Sequence, residues 1–228
     1  MRIIECEQGS VDWWLARKGI PTASQFDRIL TPKTGKYSAS AEEYICELIA
    51  DGMMGGPPQG IEGYTSKAMQ DGIDTEPEAR RWYAFERDAH VQQVGFCLTD
   101  DGRFGCSPDG LVGDDGGLEL KCPMLKTHIK YLSAGTLPAE YKCQVHGSLI
   151  VTERAWWDFV SYAPNLPPLL VRVEPDTFTE QLRAAMETFW TQLEHAKALI
   201  ETKRSADEPE IVSRDLTTDI VDSDDLPF

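Results

Sequence analysis

The chain has 228 residues, of which 41% are hydrophobic, and carries a formal net charge of −16. That length buries a sizeable core as one domain, with or without a tail, and the acidity excludes a broad basic face of the kind that usually binds nucleic acid. No run of about 18 apolar residues offers a membrane span, and MRIIECEQGS lacks the basic and apolar regions of a secretion signal, so a soluble, unsecreted cytosolic protein with no membrane partner is expected.

In chain order, SVDWWLARKG and TASQFDRIL predict two short helices within residues 10–30, with Ser10 and Thr22 as N-caps and Gly19 closing the first. The loop TPKTGKYS precedes a helix over 41–53, and GGPPQG then breaks regular structure. A helical pattern returns over 65–87, interrupted near Gly72 and Pro77 because proline lacks the N–H that an inner turn needs. Strand-like segments follow at 91–99, 103–112 and 117–123, the last two joined by GDDG, a hairpin signal. Helices are predicted at 125–134 and 138–152, the second with Pro138 in its first turn. Strands AWWDFVSYA and LLVRVEP come next, then a long amphipathic helix over 176–203. This order predicts an α/β fold, a central mixed β-sheet flanked by helices. The six cysteines form no C-x-x-C pair and no zinc spacing, and read as reduced thiols, mostly core filling.

The chemistry concentrates in CSPDGLVGDDGGLELKCP, Cys106 to Pro123. Alternate side chains of a strand share a face, so Glu119 and Lys121 point one way and Leu120 the other. If GDDG reverses the chain, Asp109 faces Glu119, and two carboxylates, one ammonium and a neighbouring backbone carbonyl gather together. Such hard oxygen donors suit one or two Mg2+ ions, which keep waters and phosphate oxygens as further ligands. Two ions about 3.5–4 Å apart stabilise both the attacking and the leaving oxygen of a phosphoryl displacement. Lys121 would orient or help deprotonate the attacking water, its pKa lowered by the cations. The same residues also suit a solvated turn, and this stretch alone does not choose between the two; a calcium loop fails on the spacing. His146 reads as packing rather than as a ligand. In Trp13-Trp14 and Trp156-Trp157, one ring of each pair reads as core and the other as a partly exposed surface on which a base could stack.

Pro108-Asp109, nine residues, then Glu119-Leu120-Lys121 resembles the PD-(D/E)xK nuclease superfamily. LARKGIPTASQF, CSPDGL, GLELKCP and YKCQVHGSLIVTERAWWDFVSYAP, in order from about residue 8 to 175, together resemble the family of bacteriophage lambda exonuclease and the YqaJ-type viral recombination nucleases. The resemblance implies a restriction-endonuclease-like core and two Mg2+ ions, with Mn2+ able to substitute, held by Asp109, Glu119 and the carbonyl of Leu120. It implies Glu76, in GIDTEPEAR, as a further acid of the site and metal ligand, Lys121 beside the nucleophilic water, and Gln144 as the active-site glutamine. It also implies 5′→3′ degradation of one strand of linear double-stranded DNA, leaving 3′ overhangs for a single-strand annealing protein, and a 5′-phosphate pocket of Arg17, Ser24 and Ser107. Lys33 aligns with an arginine that touches the duplex, and Met69 with an apolar wedge that helps split the end; a solvated loop cation and helix packing account for them equally well. The closely spaced C-terminal cysteines of iron–sulfur relatives are absent, so no cluster is expected. A different gate on the same site would make an endonuclease or repair nuclease. The charge of −16 suggests a non-catalytic DNA mimic, which has no use for Glu119-Leu120-Lys121.

From Ser205 onward eight acids face Arg214 alone, a net of −7 that leaves −9 on residues 1–204. The expected division is a single nuclease domain, 1–204, and an acidic tail, 205–228. The homotrimeric ring of the family, with its tapered channel, would reconcile acidity with DNA binding by lining the hole with lysines and arginines. DSDDLPF departs from the family pattern and resembles the acidic tip of bacterial single-stranded-DNA-binding proteins, so contact with a pocket that takes such tips is one expectation for the tail. A solubilising tail, or one that folds back on the basic channel, are the others.

Overall fold

Ten short strands and six α-helices make up residues 1–54 and 67–206, the part of the chain that the computed structural model describes. They run β1 (Arg2–Ile4), α1 (Val11–Arg17), a 3-10 helix (Ala23–Arg28), β2 (Leu30–Thr31), β3 (Lys36–Tyr37), α2 (Ala41–Met53) and α3 (Lys67–Glu86). Then come β4 (Val91–Gln92), β5 (Phe96–Leu98), β6 (Gly105–Cys106), β7 (Gly110–Val112), β8 (Gly116–Lys121), α4 (Leu125–Ala134), α5 (Ala139–Thr152), β9 (Trp156–Ser161), β10 (Leu169–Val173) and α6 (Thr177–Ala206). The central sheet has the order β10-β9-β8-β7-β4; β8 and β9 are parallel and every other pair antiparallel, the mixed sheet that the patterning predicts. A parallel neighbour needs a crossover, and α4 and α5 supply it between β8 and β9. A smaller antiparallel sheet has the order β1-β5-β6, and β2 and β3 pair with each other.

Helix α5 is buried from Val145 to Thr152, the pattern of a helix surrounded by protein on all sides. It lies in the larger core with Phe26, Phe104, Trp157, Phe159, Leu182 and Phe189. The opposite face of the sheet packs Leu118, Leu120 and Val160 under Ala79 and Tyr83 of α3. Asp158 on β9, fully buried, stands opposite Arg172 on β10 and accepts two hydrogen bonds from it at 2.8 Å and a third from the Tyr83 hydroxyl at 2.8 Å. A buried charge requires partners of this kind, and these three tie α3 to the sheet.

Several local expectations give way to tertiary structure. Helix α3 runs unbroken through Gly72 and Pro77. One lost hydrogen bond at Pro77 is outweighed by the burial of Ala79 and Tyr83, while a Cβ at Gly72 would sit 3.2 Å from the Cys122 carbonyl oxygen, so glycine lets the helix approach the end of β8. The segments 91–99 and 103–112 each divide, β4 and β7 joining the central sheet and β5 and β6 the smaller one. Thr22 holds the N-cap position of the 3-10 helix but makes no side-chain cap hydrogen bond, whereas Ser10 caps α1 by accepting from the Trp13 N–H. Pro138 is the residue before the first turn of α5 rather than within it. The hairpin from β7 to β8 closes through Gly113 at φ +53, as the GDDG signal predicts. All six cysteines are free thiols, and Cys97, Cys106 and Cys143 are buried in the core.

Candidate active site

The register Gly110↔Leu118 brings Asp109 opposite Glu119 at the open end of the hairpin. Asp109 is fixed twice: its N–H donates to the Leu118 carbonyl at 3.2 Å, and its Oδ2 accepts from the Leu120 N–H at 2.6 Å. In a strand the N–H and C=O of one residue lie on the same side, so the Leu120 carbonyl also faces Asp109. Glu119 is 2% exposed, and its Oε1 receives Lys121 Nζ at 2.5 Å and Gln144 Nε2, from α5, at 2.6 Å. Its Oε2 is buried without a hydrogen-bond partner. Buried polar atoms are nearly always paired, and an open carboxylate oxygen beside a second carboxylate and a carbonyl fits a hard divalent cation. Among the described residues no three His, Cys, Asp or Glu side chains form a ready metal cage, so the donor set is two carboxylates and a backbone oxygen.

Burial pushes the Asp109 carboxyl well above the usual carboxylate range, the Glu119 and Glu76 charges add to this, and Lys121 and the Leu120 N–H oppose it. At Lys121 burial favours the neutral amine, but Glu119 and Asp109 outweigh it and the ammonium is held more firmly than usual. The protein alone surrounds Lys121 with acids, and the lowering expected from the sequence depends on cation charge to reverse that balance.

Glu76, on α3, is ion-paired with Arg80 one turn on, and Arg80 Nε donates to the Asp109 carbonyl at 3.2 Å. Both acids line one cleft of about 580 Å³. Glu76 therefore belongs to the cluster, but with a cation partner already in place. The signal in the sequence that points to Arg80 is an acid followed four residues later by arginine on a helix.

A second cluster adjoins the first, since Ser107 is two residues before Asp109. Arg17 Nη1 donates to Ser107 Oγ at 2.8 Å and Nη2 to Thr22 Oγ1 at 3.4 Å, while its guanidinium lies 4.1 Å over the Trp13 ring. Trp13 Nε1 also donates to Ser107 Oγ, at 2.9 Å, and Ser24 Oγ lies 3.4 Å from Thr22 Oγ1. Burial draws the Arg17 pKa down, yet a guanidinium stays charged in proteins. Arg17, Ser24 and Ser107 thus come together, with Trp13 and Thr22 as members that sequence patterns do not reveal. Trp13 is half-buried and Trp14 is 37% exposed, so neither is core, whereas Trp157 is fully buried and Trp156 is covered by Arg172 at 3.7 Å. His146 is buried with its Nδ1 at 2.8 Å from Thr179 Oγ1, a packing role. Lys33 is exposed between β2 and β3. The side chain of Met69 lies outside the described residues, as do 55–66 and the acidic segment from 207.

Residues 12–155 match the YqaJ-like viral recombinase domain. No curated protein gives a match. Among solved structures, an alkaline exonuclease from Laribacter hongkongensis, LHK-Exo, is similar at a TM-score of 0.76 and 32% identity, over 86% of this chain and 99% of that one. Its complex with dAMP gives 0.75 and 33% over the same shares. A phage-related exonuclease from Haemophilus somnus 129PT, at 0.54 and 13% identity over 78% of this chain and 96% of its own, shares the fold. The mixed sheet and its helices are the restriction-endonuclease-like arrangement.

Proposed function

From the premise that the chain belongs to the YqaJ-like viral recombinase family, nucleases of phage-type recombination, we propose that it is a magnesium-dependent exonuclease that degrades the 5′-ended strand of linear double-stranded DNA and leaves 3′ overhangs. The observation that carries this reading is the buried, unpartnered Oε2 of Glu119 in a cluster with Asp109 and Lys121. Asp109, Glu119 and the Leu120 carbonyl would hold the ions, with Mn2+ able to replace Mg2+ and Glu76 near enough to contribute. Bound there, such ions polarise the phosphate and make a water more acidic.

The chain's own residues supply the rest. Gln144 and Lys121 fix Glu119, and the Leu120 N–H fixes Asp109, so both carboxylates are positioned before DNA arrives. Lys121 orients the attacking water and handles its proton. Arg17, Ser24 and Ser107 receive the 5′ phosphate through charge-assisted and hydroxyl hydrogen bonds. Because Ser107 and Asp109 are two residues apart, a phosphate held at the first places a nearby phosphodiester of the same strand at the second, which supports cutting from the 5′ end. Lys33 and Met69 would touch the duplex, three copies would close a ring around it, and an annealing protein would take the 3′ overhang. Residues 1–204 would act as the nuclease domain and 205–228 as its acidic tail.

The test is digestion of a linear duplex bearing 5′-phosphate or 5′-hydroxyl ends, in Mg2+, Ca2+ or EDTA, beside a closed circle. Loss of the 5′-phosphorylated strand only in Mg2+, with the circle intact, is the expected result. Cutting of the circle would make the protein an endonuclease, and no cutting under any condition would refute the catalytic reading.

A further inference from the structure

An open groove of about 350 Å³ lies where the end of α1 meets α2 and the last turns of α6. Its floor is apolar, formed by Leu48, Ile49, Met53 and Ile200, and Met53 at 56% and Ile200 at 37% exposure are left facing solvent. Its rim is cationic: Lys18, Lys197 and Arg204 stand against one acid, Glu201, among the described lining residues. Arg204 has no ion-pair partner among the described residues; Lys197 meets Glu194 in a solvated pair at 3.0 Å that contributes little and lies 5.1 Å from the Trp190 ring centroid, and Lys18 donates to the Met54 carbonyl, so none of the three cations is neutralised by a buried acid. On a chain with a net charge of −16, surplus positive charge around exposed apolar side chains suits a ligand that is acidic and apolar together.

The chain contains such a ligand, and in sequence it follows directly on the helix that lines the groove. Residues 207–228 start three positions after Arg204, carry eight acids against Arg214, and include Asp222-Ser223-Asp224-Asp225 followed by Leu226-Pro227-Phe228. We propose that this segment docks in the groove of its own chain, with Leu226 and Phe228 on the apolar floor and Asp222, Asp224 and Asp225 against Lys18, Lys197 and Arg204. Reach is sufficient, since about 20 residues of coil span about 25 Å on average. A tether of that length holds its end at an effective concentration in the millimolar range, so a contact too weak to form between molecules forms within one. Pro227 lowers the conformational entropy lost when the anchor seats. The inference is independent of the chemistry at Asp109 and Glu119.

Carbodiimide crosslinking of the full chain, which joins carboxylates to lysines in contact, tests it when read by mass spectrometry on an equal mixture of 14N- and 15N-labelled protein. Crosslinks from Asp222, Asp224 or Asp225 to Lys18 or Lys197, each carrying a single isotope, are expected. They should fall about tenfold in the double variant Leu226→Ser, Phe228→Ser, which removes the apolar anchor without touching residues 1–206. Crosslinks directed instead to Lys33, Lys126 or Lys130, mixed-isotope crosslinks that report a second copy, or a yield equal in the double variant would each overturn the proposal.

Discussion

At Lys121 burial and charge pull in opposite directions, and the two carboxylates win. Without cations the side chain is therefore held as an ammonium 2.5 Å from Glu119, and it can act on a water only once cation charge loosens that pair. Lys121→Ala should lower single-turnover cleavage by about 10²- to 10⁴-fold, the usual weight of a positioned acid–base group, while 5′-phosphorylated ends still bind. Rapid-quench assays and fluorescence anisotropy separate the two effects, and a variant that cuts at full rate would remove Lys121 from the chemistry. Arg17 is placed for a different task, gripping Ser107 with its cation braced on the Trp13 ring. Loss of a charged hydrogen bond costs about 1.5–3 kcal/mol, so Arg17→Ala should cut the preference for 5′-phosphate over 5′-hydroxyl ends by about 10- to 150-fold. An unchanged preference in competition digests would mean that the pocket lies elsewhere.

Strand β8 is the element on which the site depends. Its parallel register with β9 sets Gly117 against Trp157 and Glu119 against Phe159. A Cβ at Gly117 would come within 2.2 Å of the fully buried Trp157 ring, so the large indole of β9 can lie across β8 only because position 117 has no side chain. Gly117→Ala should therefore destabilise by about 1–3 kcal/mol or more, a fall in Tm of about 2–12 °C for a domain of this size, visible by calorimetry. It should also lower activity, since Glu119 is two residues away; an unchanged Tm would show that β8 and β9 shift freely past each other. The hairpin and the shared face of Glu119 and Lys121 were legible in the sequence because both follow from strand alternation and one turn. The division of 91–99 and 103–112 between two sheets was not, because alternation does not say which partner a strand will pair with. Nor was continuity of α3 through Pro77, which tertiary burial decides. Trp13 and Ser107 are 94 residues apart, and Arg80 reaches the Asp109 backbone over 29, so neither contact leaves a local trace.

For the whole molecule the problem is charge. Residues 1–204 carry −9, and the phosphate of the proposed substrate would have to pass the acids Glu76, Asp109 and Glu119. Exposed charges act over about 8 Å at physiological salt, so a cleft on a lone acidic chain would let the duplex go between cuts. A closed ring would remove that difficulty, because DNA threaded through it could not diffuse away even where attraction is weak, and a few cations lining it would act on the DNA from all sides. If this is how the chain works, light scattering at assay concentrations should give three times the mass of one chain, and runs of degradation should survive excess competitor DNA. Raised salt should then slow loading onto ends far more than it shortens runs already begun. Lys33→Ala should weaken loading by similar factors on all sequences and reduce the slope of log affinity against log salt by about 1, as loss of one phosphate contact does. A monomer whose runs shorten as steeply with salt as its loading slows would show that electrostatics alone retains the DNA, and the ring would have to be abandoned.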